Sequence, residues 1–168
     1  TVVAWGRNEQ KQCDVPVGLT EVVGSSGGGR HSLALKKDGT VVAWGENDEK
    51  QCEIPNRLMK VVEISGGSGH NLALKEDGTV VAWGRNEWKQ CDIPSGLKNV
   101  VGISAGIFSH SLAVRKDGTV VAWGYNKEKQ CDVPTGLADV VGISGGSAHS
   151  LALKKDDTVV AWGDNKWK

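Results

Sequence analysis

The stretch GSAHSLALKKDDTVVAWGDN spans residues 146–165, and close copies of it recur along the 168-residue chain. Its core string VVAWG begins at five positions: Val2, Val41, Val80, Val120 and Val159. The intervals between these positions are 39, 39, 40 and 39 residues. One histidine and one cysteine of each unit keep the same spacing. Self-similarity at a fixed period of this length predicts an array of like units that bury one another's apolar faces.

The repeat divides the chain into units rather than into separate domains. We treat residues 1–168 as one repeat domain, whose approximate units are 1–19 (partial), 20–58, 59–97, 98–137 and 138–168. The unit at 98–137 carries one extra residue, in SAGIFSHS where the last unit has SGGSAHS. Because the chain does not begin with Met and both ends fall in mid-unit, we read it as processed, trimmed or an excerpt. No feature of the sequence indicates a compartment.

Each unit contains three short β-strand patterns. In residues 20–45 the runs EVVGS, HSLALK and TVVAWG are short and apolar or alternating, which favours strands over helices. A glycine-rich turn joins the first two runs, and Asp38-Gly39 between the others predicts a type I′ hairpin. The last unit has Asp156-Asp157 there, and we expect that turn to be the weakest. The proline of the following segment marks a connector outside the sheet, so each unit is a three-stranded antiparallel meander.

The third run of each unit has apolar residues on both faces, with Val41 and Ala43 on one side and Val42 and Trp44 on the other. A three-stranded sheet is marginal alone, and like sheets on either side would cover both faces. The sequence therefore predicts an all-β chain, a β-propeller or propeller segment of four blades. The repeated tryptophans are predicted to pack between blades: Trp5, Trp44, Trp83, Trp123 and Trp162.

The motif GxxHSLALKxDGTVVAWGxN resembles the regulator-of-chromosome-condensation repeat, and the resemblance covers essentially the whole chain. The short connector NxxKQCDVPxGL is more similar to the compact bacterial form of that repeat, which includes the type II β-lactamase inhibitory protein and has three-stranded blades. The resemblance implies a propeller. In that inhibitor aromatic residues of the glycine turn contact the enzyme, and here only Phe108 fits that pattern. Propellers host many unrelated activities, so function has to be argued from surface residues.

The number of blades in the complete assembly is a separate question. Propellers of this family usually have seven blades, whereas this chain has four sets of first and second strands and five copies of the third. Three arrangements are open: an excerpt of a longer array, a half-ring that dimerises into an eight-bladed ring, or a small four-bladed ring. We favour an excerpt or self-association. The N-terminal TVVAWG could pair with a neighbour's last blade only where that blade's own copy, Thr158–Gly163, is displaced.

Bulk composition excludes several function classes. Twenty basic and twenty acidic residues balance to zero net charge, which argues against nucleic-acid partners and anionic membranes. No apolar run approaches the roughly 20 residues of a membrane span. No nucleophile–base pair, phosphate loop or carboxylate dyad stands out, so we expect no enzyme, no catalytic residues and no cofactor.

The repeated histidines and cysteines invite a metal or disulfide interpretation, which their spacing disfavours. Equivalent positions in neighbouring blades lie too far apart to converge on one ion or to form a bridge. We predict no metal site, and we interpret the histidines as caps of the glycine turn and the cysteines as small buried hydrophobes. These residues are His31, His70, His110 and His149, and Cys13, Cys52, Cys91 and Cys131.

Where the residue differs between units, the fold does not require one particular residue at that position. Such positions in the glycine turn and after AWG are expected on one face, since the third strand ends where the glycine turn lies. Exposed aromatic residues beside arginine are typical of protein-binding hot spots. We therefore predict a non-catalytic binding or scaffold propeller that contacts an unidentified protein through this face. The predicted partner-binding residues are Arg30, Arg85, Trp88, Phe108 and Tyr125.

Two other functions compete with this prediction. A ring of similar pockets suits a multivalent lectin, and one asparagine recurs at an equivalent place in each unit: Asn8, Asn47, Asn86, Asn126 and Asn165. The third alternative is a purely structural, self-assembling repeat, natural or engineered, because the units are alike even at loop positions.

Overall fold

The computed structural model describes residues 1–166 and contains twelve β-strands in four sheets, numbered here as blades one to four. The strands are β1 (Val22–Gly27), β2 (His31–Lys36), β3 (Val41–Gly45), β4 (Val61–Gly66), β5 (His70–Lys75), β6 (Val80–Gly84), β7 (Val100–Ala105), β8 (His110–Arg115), β9 (Val120–Gly124), β10 (Val140–Gly145), β11 (His149–Lys154) and β12 (Val159–Gly163). The predicted meander is confirmed in all four blades. No helix in this described part is long and apolar enough to cross a membrane.

Within each blade the three strands are antiparallel and lie in chain order. In blade one, β2 pairs with β3 from His31 opposite Gly45 to Leu35 opposite Val41. The same register recurs in the other three blades. Because side chains alternate between the two faces of a strand, this constant register places each repeat position on the same face of every blade.

The hairpin between the second and third strands has a three-residue loop, so the predicted two-residue type I′ turn is wrong. The Lys36 N–H bonds to the Thr40 carbonyl at 2.9 Å, and the Gly39 N–H bonds to the Lys36 carbonyl at 2.9 Å. Gly39 has φ of 78° whereas Asp38 lies outside the positive-φ region, as in a type I turn followed by a left-handed residue. The Asp38 carboxylate instead accepts hydrogen bonds from the N–H and hydroxyl of Thr40.

The apolar core lies between consecutive blades. Leu33 and Leu35 of blade one pack against Val61 and Trp83 of blade two, and all four side chains are buried. Equivalent clusters join blade two to blade three and blade three to blade four. Each sheet therefore buries one face against the next sheet, as the apolar character of both strand faces predicts.

The predicted packing between blades is confirmed for Trp83, Trp123 and Trp162, which belong to the three inter-blade clusters. Trp44 is also buried, but no blade precedes its own blade in the described chain. Each of these four donates its indole N–H to the backbone carbonyl of a glutamine in the preceding connector. Trp5 is 82% exposed, so the prediction is wrong for it. Its segment, residues 1–6, forms no strand, and no blade therefore covers the indole.

A chain of hydrogen bonds crosses each blade boundary. The Ser150 hydroxyl donates to the Gln130 carbonyl at 2.8 Å, and its oxygen lies 3.2 Å from His110 Nε2 of the preceding blade. Because the single hydroxyl hydrogen is used, His110 Nε2 must carry the proton of this contact. The equivalent pairs are His31–Asn71 at 2.6 Å and His70–Ser111 at 3.1 Å. The histidines therefore join blades, a role that the turn-capping interpretation did not include.

The stack of blades is open at both ends. Leu153 is 42% exposed and Val159 is 62% exposed in blade four, whereas Leu35 and Val41 at the same repeat positions are 4% and 8% exposed. Nothing among residues 1–166 covers this outward face of blade four. The described chain is thus not a closed four-bladed ring, one of the three arrangements considered.

Replacing Asp157 with glycine should stabilise blade four. Asp157 has φ of 65° at the position where the other hairpin loops have glycine. A left-handed conformation costs an L-residue energy that glycine does not lose, so Asp157→Gly should raise the free energy of unfolding by about 0.5–1 kcal/mol. Chemical denaturation measures the change. Lys155→Gly is the matched control, because Lys155 lies outside the positive-φ region, and it should lower stability.

Acidification should destabilise the stack through His70 and His110. Burial, followed by the neighbouring histidines, lowers the pKa of each imidazole from 6.5 to about 4. Between these two pH values the unfolded chain binds protons that the folded chain does not bind. Stability should therefore be fully present above pH 6.5 and should fall progressively as the pH drops towards about 4. Denaturant unfolding at several pH values measures this slope.

The variant His110→Gln tests whether these imidazoles cause the slope. Glutamine does not titrate, so the variant should be less stable at neutral pH but should lose less stability on acidification than the wild type. Equal slopes for the two proteins would contradict the assignment to His110.

Candidate binding face

Each glycine turn packs against the ring of its own blade's histidine. A Cβ atom on Gly106 would lie 2.0 Å from His110 Cε1, and one on Gly28 would lie 2.1 Å from His31 Cε1. The same crowding recurs in blades two and four. Real Cβ atoms do not approach this closely, so only glycine fits at this position. The buried histidine therefore fixes the height of the turn above the sheet.

Backbone hydrogen bonds fasten the glycine turn to the segment that follows the third strand. The Tyr125 N–H donates to the Ser109 carbonyl at 2.9 Å, and the Arg85 N–H donates to the Gly69 carbonyl at 2.8 Å. Blades one and four have the same bond. These bonds confirm that the two variable segments share one surface. We call this surface, made of the glycine turns and the residues directly after AWG, the glycine-turn face.

The turn of blade three carries the one-residue insertion and displays two large apolar side chains. Ile107 is 51% exposed and Phe108 is 53% exposed. Their N–H groups donate to the Gly146 and Ser147 carbonyls of blade four at 3.0 Å and 3.2 Å. Ser109, which follows them, is buried with φ of 61°. The backbone of this turn is thus held by the next blade while its side chains face solvent.

An open cleft of about 360 Å³ lies beside this turn, and we call it the apolar cleft. Phe108, Trp88 and Tyr125 line it together with Arg85. The Trp88 and Tyr125 rings meet edge to face, with centroids 5.0 Å apart and an interplanar angle of 76°. Lys127 Nζ lies 5.3 Å from the Trp88 ring centroid, within cation–π range. The cleft therefore combines aromatic walls with a cationic rim.

A second cleft of about 340 Å³ lies between blades one and two, and we call it the charged cleft. Arg30 Nη1 is 3.3 Å from Glu46 Oε1, and Asp48 also lines the cleft. Arg85 lines both clefts and forms an ion pair with Glu87. Because Arg85 is shared, the two clefts form one continuous surface across blades one to three.

All five residues predicted from the sequence lie on this surface. Arg30 lines the charged cleft, Arg85 lines both clefts, and the three aromatic residues line the apolar cleft. Two contributors were not in the predicted set. Ile107 could have been chosen because it lies in the insertion of its unit. Lys127 could have been noticed because the first three units carry an acidic residue at its position: Glu9, Asp48 and Glu87.

The repeated asparagines and cysteines have roles inside the connectors. Asn86 Oδ1 accepts the Cys91 N–H at 2.8 Å, and Asn86 Nδ2 donates to Asp92 at 2.7 Å. The Asn–Cys bond recurs in the other connectors. Burial raises the pKa of the Cys91 and Cys131 thiols to about 12, so both stay protonated at neutral pH. Among residues 1–166, no group of three or more His, Cys, Asp and Glu side chains could hold a metal ion.

A comparison with known protein families identifies the family of this repeat. The regulator of chromosome condensation (RCC1) repeat matches four segments, residues 24–51, 61–87, 100–130 and 140–166. These segments make up more than half of the chain. The chain belongs to the RCC1 repeat family. Each match begins in the first strand of a blade and ends in the following connector, so the family unit coincides with the blades described above. A search of curated protein sequences finds no significant match.

Solved structures with the same fold are distant in sequence. The ectodomain of the Physcomitrella patens receptor kinase CR4 is 24% identical, with a TM-score of 0.81 over 98% of this chain and 47% of its own. Prp20p from Saccharomyces cerevisiae is 21% identical, with a TM-score of 0.74 over 84% and 45%. Human WBSCR16 is 18% identical, with a TM-score of 0.72 over 86% and 49%. This RCC1-repeat chain therefore spans about half the length of these propellers.

Substituting the glycine that packs on the histidine ring should destabilise the fold. Gly106→Ala would push a methyl group into His110 and should lower stability by about 1–3 kcal/mol, as overpacking usually does. Thermal unfolding measures the change. Gly27→Ala is the matched control, because a Cβ there meets no atom within 4 Å. Equal melting temperatures for the two variants would show that the ring does not restrict the turn.

Proposed function

We propose that this chain is a non-catalytic binding module that contacts a protein partner through the glycine-turn face. The observation that carries the proposal is the apolar cleft, where exposed Phe108 and Ile107 stand beside the Trp88–Tyr125 pair. Aromatic residues and arginine dominate the binding energy of protein interfaces, and a charged rim around an apolar centre is their usual anatomy. The predicted contact residues are Arg30, Arg85, Trp88, Phe108 and Tyr125.

The hydrogen bonding of the glycine turn of blade three supports this role. Its backbone N–H groups are already bonded to blade four, so binding would order little additional chain. Interfaces of equal area differ widely in affinity, and the entropy lost on ordering side chains and loops is one of the reasons. A turn held in advance in this way presents Phe108 at a low entropic cost.

Two of the solved structures with this fold come from proteins that bind other proteins. The structure of Prp20p was described together with its binding to Gsp1p and histones, and yeast RCC1 has been solved bound to Kap60. Those partners belong to those proteins, whose identity to this chain is below 25%. The structural similarity supports protein binding as the class of function. The kind of partner has to be inferred from the surface chemistry of the two clefts.

The same surface gives less support to a lectin. One of the two arguments for sugar binding was the recurrence of one asparagine, and four of the five asparagines hydrogen-bond within their own connectors. Their recurrence therefore follows from connector geometry. A glycan array separates the two functions, since sugar binding at several equivalent sites would favour the lectin.

Truncating the aromatic residues of the cleft should remove partner binding and leave the fold intact. Phe108→Ala and Trp88→Ala should each weaken binding by roughly tenfold or more, the effect of losing a hot-spot residue. Affinity capture with each variant as bait, followed by titration of the captured protein, measures the loss. The melting temperature should change little, because both side chains are about half exposed.

Val62→Ala is the matched control for these variants. Val62 is 54% exposed and lies on β4, outside both clefts. A protein that is also captured by an unrelated bait is a nonspecific contaminant and is set aside. If every remaining captured protein binds the Phe108 and Trp88 variants as tightly as the wild type and the Val62 variant, the proposal is wrong.

A further inference from the structure

The connector after blade one shows what the residue directly after AWG does when it is a carboxylate. Glu46 Oε1 lies 3.3 Å from Arg30 Nη1, and Glu46 Oε2 accepts a hydrogen bond from Gln51 Nε2 at 3.2 Å. Gln51 is fully buried, and its Oε1 accepts the Glu49 N–H at 2.9 Å. Both polar atoms of this buried side chain are therefore satisfied, and a carboxylate satisfies the amide nitrogen.

The connector after blade two keeps the glutamine but has no carboxylate at the repeat position of Glu46. Gln90 is fully buried, and its Oε1 accepts the Trp88 N–H at 2.9 Å. Because an N–H needs an acceptor, this bond identifies the other terminal atom of Gln90 as the amide nitrogen. Gln90 Nε2 is buried and has no hydrogen-bond partner among residues 1–166. The position of Glu46 is held by Arg85, whose guanidinium has donors only.

Gln90 lies at the floor of the apolar cleft. Trp88, whose N–H it binds, and Tyr125 both line that cleft. A Cβ atom on Gly124, the residue before Tyr125, would lie 3.1 Å from both the Cα and the Cβ atoms of Gln90. The glutamine is therefore packed between the backbones that carry the two aromatic walls.

The electrostatic character of the apolar cleft favours a negative group. Of the described residues that line it, Arg85 alone is charged, and Lys127 Nζ stands over the Trp88 ring. Glu87 accepts hydrogen bonds from Arg85 Nε, at 3.0 Å, and from Arg85 Nη2. A guanidinium has five N–H donors, so the contact with Glu87 leaves donors of Arg85 for a further acceptor.

We propose that the apolar cleft receives a partner segment in which an Asp or Glu side chain stands next to a large apolar side chain. The apolar side chain packs against the aromatic walls, and the carboxylate accepts hydrogen bonds from Arg85 and from Gln90 Nε2. The partner thereby supplies the group that Glu46 supplies within the chain in the preceding connector. This inference rests on the proposed function, because it specifies the chemistry of the segment that binds the same face.

A carboxylate is favoured over a neutral or basic side chain by the donors that meet it. It can accept from a guanidinium and from an amide at the same time, and hydrogen bonds to ionised groups are stronger than those between neutral groups. A basic side chain would face Arg85 and Lys127 and would leave Gln90 Nε2 without an acceptor, which is costly for a buried donor. Because that amide is covered in the free chain, the Arg85 side chain turns aside as it pairs with the incoming carboxylate.

A library of random peptides displayed on phage tests both the binding and its chemistry. Panned on the 168-residue chain, it should enrich sequences with Asp or Glu beside a large apolar residue. A synthetic peptide of the enriched sequence should bind Phe108→Ala and Arg85→Glu roughly tenfold more weakly or worse. Arg85→Glu should keep its circular dichroism spectrum, because it gives this connector the carboxylate of the preceding one. Arg57→Glu is the matched control, since it reverses the same charge on an exposed residue outside both clefts, and it should bind like the wild type.

The outcomes separate this inference from the proposed function. Peptides that bind Phe108→Ala as tightly as the wild type would contradict the binding face, and this inference with it. Peptides that need Phe108 but lack an acidic residue, or that bind Arg85→Glu unchanged, would overturn the carboxylate site and leave the proposed function intact. Enrichment of no peptide at all would likewise overturn only the inference about the segment.

Nuclear magnetic resonance reports directly on the Gln90 amide. Its assigned side-chain NH2 resonances should shift when the acidic peptide is added, and replacing the peptide's acidic residue by its amide should weaken binding by roughly tenfold or more. Gln130 is the internal control, because its Nε2 is also buried without a partner in the described chain, but its connector packs on blade four. Its resonances should stay in place. An unshifted Gln90 amide in the saturated complex would overturn the inference.

Discussion

The backbone carbonyl of the connector glutamine is the acceptor on which the blade stack depends. In blade four the Gln130 carbonyl accepts the Ser150 hydroxyl and the Trp162 indole N–H, and Ser150 also contacts His110 of the preceding blade. A buried donor without an acceptor costs about 1–3 kcal/mol. The glutamine carbonyl, the serine and the tryptophan must therefore keep their relative positions in space, and the histidine must keep its place one blade earlier. This network explains why these positions recur from blade to blade.

The same network determines where the sequence is free to vary. The glycine that packs on the histidine ring and the residues between blades are restricted, but the Ile107 and Phe108 side chains of the turn are about half exposed. Ile107 and Phe108 show the result, because an inserted residue there is absorbed by two backbone bonds to blade four without a change in strand register. The glycine-turn face can thus acquire aromatic and charged residues while the stack below it stays the same.

The period and the strand patterns were sufficient to predict the blades, and the variable positions were sufficient to predict which residues share a face. The hairpin type could not be predicted, because the choice between two and three loop residues depends on the pairing of Lys36 with Thr40. The packing of Trp5 was predicted wrongly. Its repeat position indicates a contact with a neighbouring blade, but the repeat pattern alone does not show whether that blade is present. The contacts of Trp88 with Tyr125 and Lys127 depend on side-chain directions in two different units, which a linear pattern does not contain.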